Sequence, residues 1–106
     1  MKPEVLQRKL DTLARYIERV EEFLPKDAET LIARQYTQDV IALNLERAVQ
    51  MCLDAATHIL SDTSEAFPET MAGLFPQLAR ARVIDRPLAE VMTKAVGLRN
   101  LAVHEY

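Results

Sequence analysis

The chain has 106 residues, 49% of them apolar and 27% charged, with a formal net charge of −3. Two glycines cannot supply the turns of a sandwich or barrel, one cysteine excludes a disulfide framework and a Cys-rich zinc site, and the acidic balance is the wrong sign for coating nucleic acid by bulk electrostatics. What remains is one small domain in a reducing, cytoplasmic compartment, with no run of about 18 apolar residues to address it to a membrane.

Val5, Leu6, Leu10, Leu13, Ile17, Val20 and Leu24 recur at three- and four-residue steps, which predicts an amphipathic first helix over residues 4–24, stopped before Pro25. A second helix over about residues 28–61 projects Ile41, Leu45, Ala48, Val49, Cys52, Ala56 and Ile59 onto one broad face, with Asp39, Glu46, Gln50 and Thr57 opposite. At roughly 45 to 50 Å it would be the spine of the domain. Ser61-Asp62-Thr63-Ser64 is a polar break, and Pro68 or Thr70 opens a shorter third helix. Pro76 lacks an N–H and crowds the carbonyl four residues back, so residues 71–81 should be kinked or split near Gly73. Asp85 and Pro87 mark the start of a last helix running to the end of the chain, with Leu88, Met92, Ala95 and Val103 on its core side. Four main helices, short connections and no strand pattern predict an all-α, up-and-down helical bundle, residues 1–106 forming a single domain.

Charge is uneven along the chain. Residues 35–79 hold Arg47 alone against six acids, and residues 80–106 hold five basic groups against three acids. Arg80, Arg82, Arg86 and Lys94 read either as a solvated face or as an edge that tracks phosphates. Cys52 lies in the centre of the apolar arc and reads as a small core residue with a slow thiol. Asp54 and His58 are i,i+4 neighbours at the margin of that arc, with Arg47 on the same stripe. They read as ordinary surface residues, or as support and an anion contact for a site on a neighbouring helix.

The last ten residues hold the one constellation with evident chemistry: Arg99, Asn100, His104 and Tyr106, in the order Arg-Asn-x-x-x-His-x-Tyr. This ending resembles the signature of the HEPN superfamily and, within it, of the HepT-like ribonuclease toxins, Arg-x4-His-x-Tyr, with Arg99, His104 and Tyr106 in the matching positions. The similarity extends back through Asn44-Leu45, Ala48, Cys52-Leu53-Asp54, Ala56 and His58-Ile59, then Phe75, Leu78 and Val83-Ile84. The resemblance implies a HEPN-like helical homodimer whose motifs face each other, and metal-independent cleavage of RNA with no cofactor. It also implies a partner antitoxin, a minimal nucleotidyltransferase that adds AMP to the motif tyrosine, here Tyr106. Family chains usually continue past that tyrosine, so a missing tail is an expectation for a chain that stops at Tyr106. The alternative on the same fold is a non-catalytic HEPN module that binds nucleotide or assembles with a partner.

RNA carries its own nucleophile, the 2′-hydroxyl, so a nuclease needs a base of near-neutral pKa and a cation for the charge that builds on phosphorus. His104 and Arg99 suit those roles. Asn100 would orient the imidazole or contact phosphate, and the Tyr106 hydroxyl would donate to a phosphate oxygen. The carbonyl end of the last helix favours a protonated His104. Helical geometry puts Asn100 and His104 on one face, whereas Arg99 and His104 diverge by about 140°. A site that uses both is expected to be shared by two subunits.

Overall fold

The computed structural model describes residues 3–105, with side chains as far as Ala102. Five α-helices and one short 3₁₀ turn account for the described architecture, and no strand occurs among the described residues.

Helix α1 (Pro3–Phe23) ends just before Pro25, and Leu24 still donates its N–H to the Val20 carbonyl at 2.9 Å. It packs along α3 (Gln35–Leu60) through Val5, Leu6, Leu13, Tyr16 and Val20, all half-buried, and leaves Leu10, Ile17 and Leu24 on its open edge.

The single long second helix is corrected to two. Helix α2 (Ala28–Ala33) stops at Arg34, whose backbone leaves the helical region at φ −116° and ψ 89°. The break is stabilised locally: Nε2 of Gln38 donates to the carbonyls of Leu31 and Ile32, each at 2.9 Å. Those are acceptors that a helix end leaves without partners. Asp27 caps the other end of α2, its Oδ1 accepting from the Thr30 N–H at 2.7 Å. The spine is therefore α3 alone, with 26 residues and a length of about 39 Å.

The third segment splits at Gly73 as expected, into a 3₁₀ turn (Met71–Gly73) and α4 (Leu74–Arg80). The cause is not a proline kink. Pro76 lies in the first turn of α4, where its missing N–H would have had no intrahelical acceptor anyway. Gly73 is needed for a close approach, since a Cβ there would lie 2.7 Å from Cβ of Pro68. Helix α5 (Arg86–Glu105) starts where Asp85 caps it, Oδ1 accepting from the Leu88 N–H at 2.9 Å.

The core gathers Leu53, Ala56 and Leu60 of α3, Leu74, Phe75 and Leu78 of α4, and Ala89 and Val96 of α5. The apolar arcs read from sequence are each broader than the face the fold buries. Leu45 and Leu88 were expected inward but stand 49% and 46% exposed. On α5 the core side runs through Ala89, Met92 and Val96, and Val91, Leu98 and Leu101 form a second apolar strip that nothing in the protomer covers.

Candidate functional site

The site is built on facing stretches of α3 and α5. Arg99 points from α5 back to α3, where its Nη2 donates to Oε1 of Gln50 at 2.6 Å. Its Nη1 donates to Oδ1 of Asn100 at 3.1 Å. Gln50 turns its other atom to Asp54, Nε2 donating to Oδ1 at 3.0 Å. The guanidinium is thus tied through one amide to a half-buried carboxylate one helical turn along α3. An amide suits this place because it accepts from the cation and donates to the anion at once.

The third donor of the guanidinium differs from the other two. Nε of Arg99 is buried and has no acceptor. A shielded donor on a cation left unpaired costs about 1 to 3 kcal/mol. Arg99 also lines an open cleft of about 650 Å³ between α3 and α5, walled by Leu45, Val49 and Leu98 with Asp39 and Glu46 at its edge. The arrangement presents a pre-set guanidinium to an open cleft.

The remaining expected residues separate into three groups. Asn100 is exposed and joined to Arg99, and Asp54 joins the same network through Gln50. Arg47 is exposed and His58 half-buried on α3, and no hydrogen bond or ion pair among the described residues links either to Arg99. The backbone of His104 lies in the last turn of α5, about 140° around the helix from Arg99, while its side chain, and Tyr106 altogether, lie outside the described residues. Gln50 was missed: its own helix projects it away from the apolar arc, and only the packing of α5 reveals its partner.

Cys52 packs against the core, and burial pushes its thiol pKa up. Among the described residues no three His, Cys, Asp or Glu side chains gather as a metal site would need, and no helix is long and apolar enough to cross a membrane.

Comparison with known proteins bears on the chain as a whole. A family described as ribonuclease HepT-like matches residues 13–106. The chain is 33% identical to the mRNA nuclease HepT of Shewanella oneidensis, covering 97% of this chain and 77% of that protein. It is 24% identical to the tRNA nuclease HepT of Aphanizomenon flos-aquae, covering 100% of this chain and 72% of that one. Among solved structures it resembles the tri-AMPylated Shewanella oneidensis HEPN toxin in complex with MNT antitoxin. The TM-score is 0.89 and the identity 33%, over 100% of this chain and 78% of the other.

Proposed function

This chain belongs to the ribonuclease HepT-like family, and from that membership we propose that it is an endoribonuclease, the toxin of a toxin–antitoxin pair, acting on RNA in the cytoplasm. The observation that carries the reading is Arg99, fixed by Gln50 and lining the cleft between α3 and α5, at the matching position of an Arg-x4-His-x-Tyr ending. We take residues 1–106 to act as one domain and as a homodimer, in which Arg99 of one copy works with His104 of the other.

The chemistry asks little of the protein. His104 removes the proton of a 2′-hydroxyl, the 2′-oxygen bonds to the adjacent phosphorus, and the bond to the 5′-oxygen breaks as that oxygen takes up a proton. The products are a 2′,3′-cyclic phosphate and a free 5′-hydroxyl. Arg99 holds a non-bridging oxygen through the guanidinium N–H groups that Gln50 and Asn100 leave free, while negative charge gathers on the phosphoryl group. Asn100 and Tyr106 orient the phosphate, and the scheme routes no step through a metal ion. Neutralisation follows from charge and volume: AMP placed on Tyr106 by a nucleotidyltransferase antitoxin adds a bulky anion to the motif, which would neutralise Arg99 and exclude the scissile phosphate. The relation to an AMPylated toxin crystallised with its antitoxin supports this part of the reading.

The test is cleavage of RNA by the purified protein in excess chelator. The wild-type chain is expected to generate 2′,3′-cyclic ends, and Arg99→Ala and His104→Ala to lose at least 100-fold in rate, the order expected for a positioned acid/base or charge-stabilising group. Equal product from wild type and both variants, or none from any, would overturn the assignment. Co-expression with an MNT-type antitoxin should add whole AMP units to the chain, and Tyr106→Phe should abolish the addition at that position.

A further inference from the structure

On the side of the protomer away from the Arg99 cleft, the corner between α4 and α5 opens into a second cleft of about 970 Å³. Its lining gathers Arg80, Arg82, Arg86 and Lys94, four of the six basic side chains that the chain carries beyond residue 34. Two carboxylates share the lining. Asp85 is occupied as the cap of α5, its Oδ1 on the Leu88 N–H, and Glu90 is the other. Arg80 approaches Glu65 at 3.5 Å, whereas no carboxylate among the described residues lies within ion-pairing distance of Arg82, Arg86 or Lys94. A chain of net charge −3 therefore concentrates unpaired positive charge at one concave place.

The backbone at this corner is unusual in the same sense. Arg82 has φ 61°, the left-handed conformation, and the Val83 N–H closes back on the Leu78 carbonyl at 3.0 Å. That helix-ending turn favours glycine. An arginine here accepts local strain and places a cation at the mouth of the cleft.

The cleft also has a direction. Arg86, Glu90, Lys94, Gly97 and His104 fall along one stripe of α5, with His104 18 residues and five full turns beyond Arg86, about 27 Å along the axis. Midway, Gly97 leaves the stripe bare: a Cβ there would meet nothing within 4 Å, so no contact within the protomer demands a glycine. Arg86 and Lys94, with Glu90 between them, lead along α5 toward the backbone position assigned as the acid/base.

We propose that the α4–α5 corner is a phosphate-binding cleft for the sugar-phosphate backbone of single-stranded RNA, which it delivers along this stripe of α5 to His104. The proposal rests on the nuclease reading for its destination, not for its binding. The probe is a fluorescent, fully 2′-O-methylated RNA oligonucleotide of about 12 nucleotides, which lacks the nucleophile and reports binding alone. Arg82→Gly with Arg86→Gln removes two cations from the cleft, and Arg8→Gln with Arg19→Gln removes two exposed cations from α1. Both double variants have the same net charge. At about 0.1 M salt the cleft variant is expected to bind roughly tenfold more weakly and to lose about one to two from the slope of log affinity against log salt. The α1 variant should stay within twofold of wild type. Arg82→Gly relieves the strained turn, so a raised melting temperature beside the lost affinity excludes misfolding as the cause.

Equal weakening in both variants would mean bulk charge alone and would overturn the cleft. So would unchanged RNA binding with weakened binding of the antitoxin, which would make the corner a protein interface. If no RNA is cleaved in any condition yet the cleft variant still loses affinity, the nuclease reading fails and the cleft stands.

Discussion

Arg99 owes its aim to a residue 49 positions earlier. Its Nη2 is held by Gln50, and Gln50 is held by Asp54, so the guanidinium faces its cleft with one rotamer selected by two hydrogen bonds. Gln50→Ala removes the acceptor and leaves Arg99 in place. Losing a hydrogen bond to a charged group is worth about 1.5 to 3 kcal/mol, and the fraction expressed in the transition state should lower kcat roughly tenfold while KM moves little. If Gln50 acts only by positioning, Gln50→Ala combined with Arg99→Ala is no slower than Arg99→Ala alone. Additive losses in that cycle would show an independent role. The motif positions Arg99, Asn100, His104 and Tyr106 could be proposed from sequence because they fall within eight consecutive residues. Gln50 could not, because helical projection orders residues about their own axis and says nothing of the helix that arrives later. Cys52 was legible for the opposite reason: it sits mid-arc on its own helix, and its burial raises the thiol pKa. Iodoacetamide at pH 8 should alkylate it at least tenfold more slowly in the folded protein than in denaturant, since the thiolate is the reacting species.

Element boundaries followed the local signals that proline, caps and periodicity provide, and failed where side chains from another turn intervened. The end of α1 before Pro25 and the start of α5 at Asp85 are of the first kind. The break at Arg34 is of the second, since no proline or glycine marks it and Gln38 satisfies the carbonyls it exposes. Helix α2 has six residues, too few to persist without its cap. The Asp27 carboxyl is held below its ordinary range, first by the Thr30 backbone N–H and then by the Thr30 hydroxyl. A depressed carboxylate pKa contributes stability that is present above the unfolded value of about 3.9 and is lost as pH falls through the folded value. Amide exchange at Thr30, corrected for the intrinsic rate, should therefore accelerate below about pH 4 before the amides of α3 do. Unchanged protection there while the rest of the protein remains folded would show that the cap does not hold α2. At the α4–α5 corner the same logic reverses sign: Arg82→Gly relieves a left-handed residue and should stabilise the fold by about 0.5 to 1 kcal/mol, raising Tm by about 2 to 8 °C in thermal denaturation.

At the scale of the whole molecule, the protomer exposes more than its mass requires. A compact monomer of 12.0 kDa presents about 6,000 Å², yet this chain presents 7603 Å². Its radius of gyration is 15.2 Å where about 13 Å is usual for this length. The excess coincides with exposed apolar side chains on α3 and α5, of which Leu45 was expected in the core. Leu45 of α3 and Val91, Leu98 and Leu101 of α5 are 49 to 68% exposed, beside the cleft that holds Arg99. The fold buries one side of each helix and leaves these residues open, which supports the proposed homodimer. Leu98→Glu should therefore convert a dimer of about 24 kDa to a 12.0 kDa monomer in light scattering and abolish cleavage, without loss of helical content.

Dimerisation by itself does not place Arg99 and His104 in one site, and their angular separation on α5 supplies the sharper experiment. A single helix cannot bring both to one phosphate when they diverge by about 140°. In the proposed dimer, each site takes Arg99 from one copy and His104 from the other across the two-fold axis. In a mixed dimer of Arg99→Ala and His104→Ala chains, one site then carries both substitutions and the other carries neither. Random exchange puts half of the dimers in the mixed form, each with one of two sites intact, so two inactive preparations combined under exchanging conditions should recover about one quarter of wild-type activity. Sites contained within one chain would be broken in every dimer, and the mixture would stay inactive. A mixture that stays inactive after native mass spectrometry has verified the mixed dimer would therefore sink the shared site while leaving the dimer itself intact.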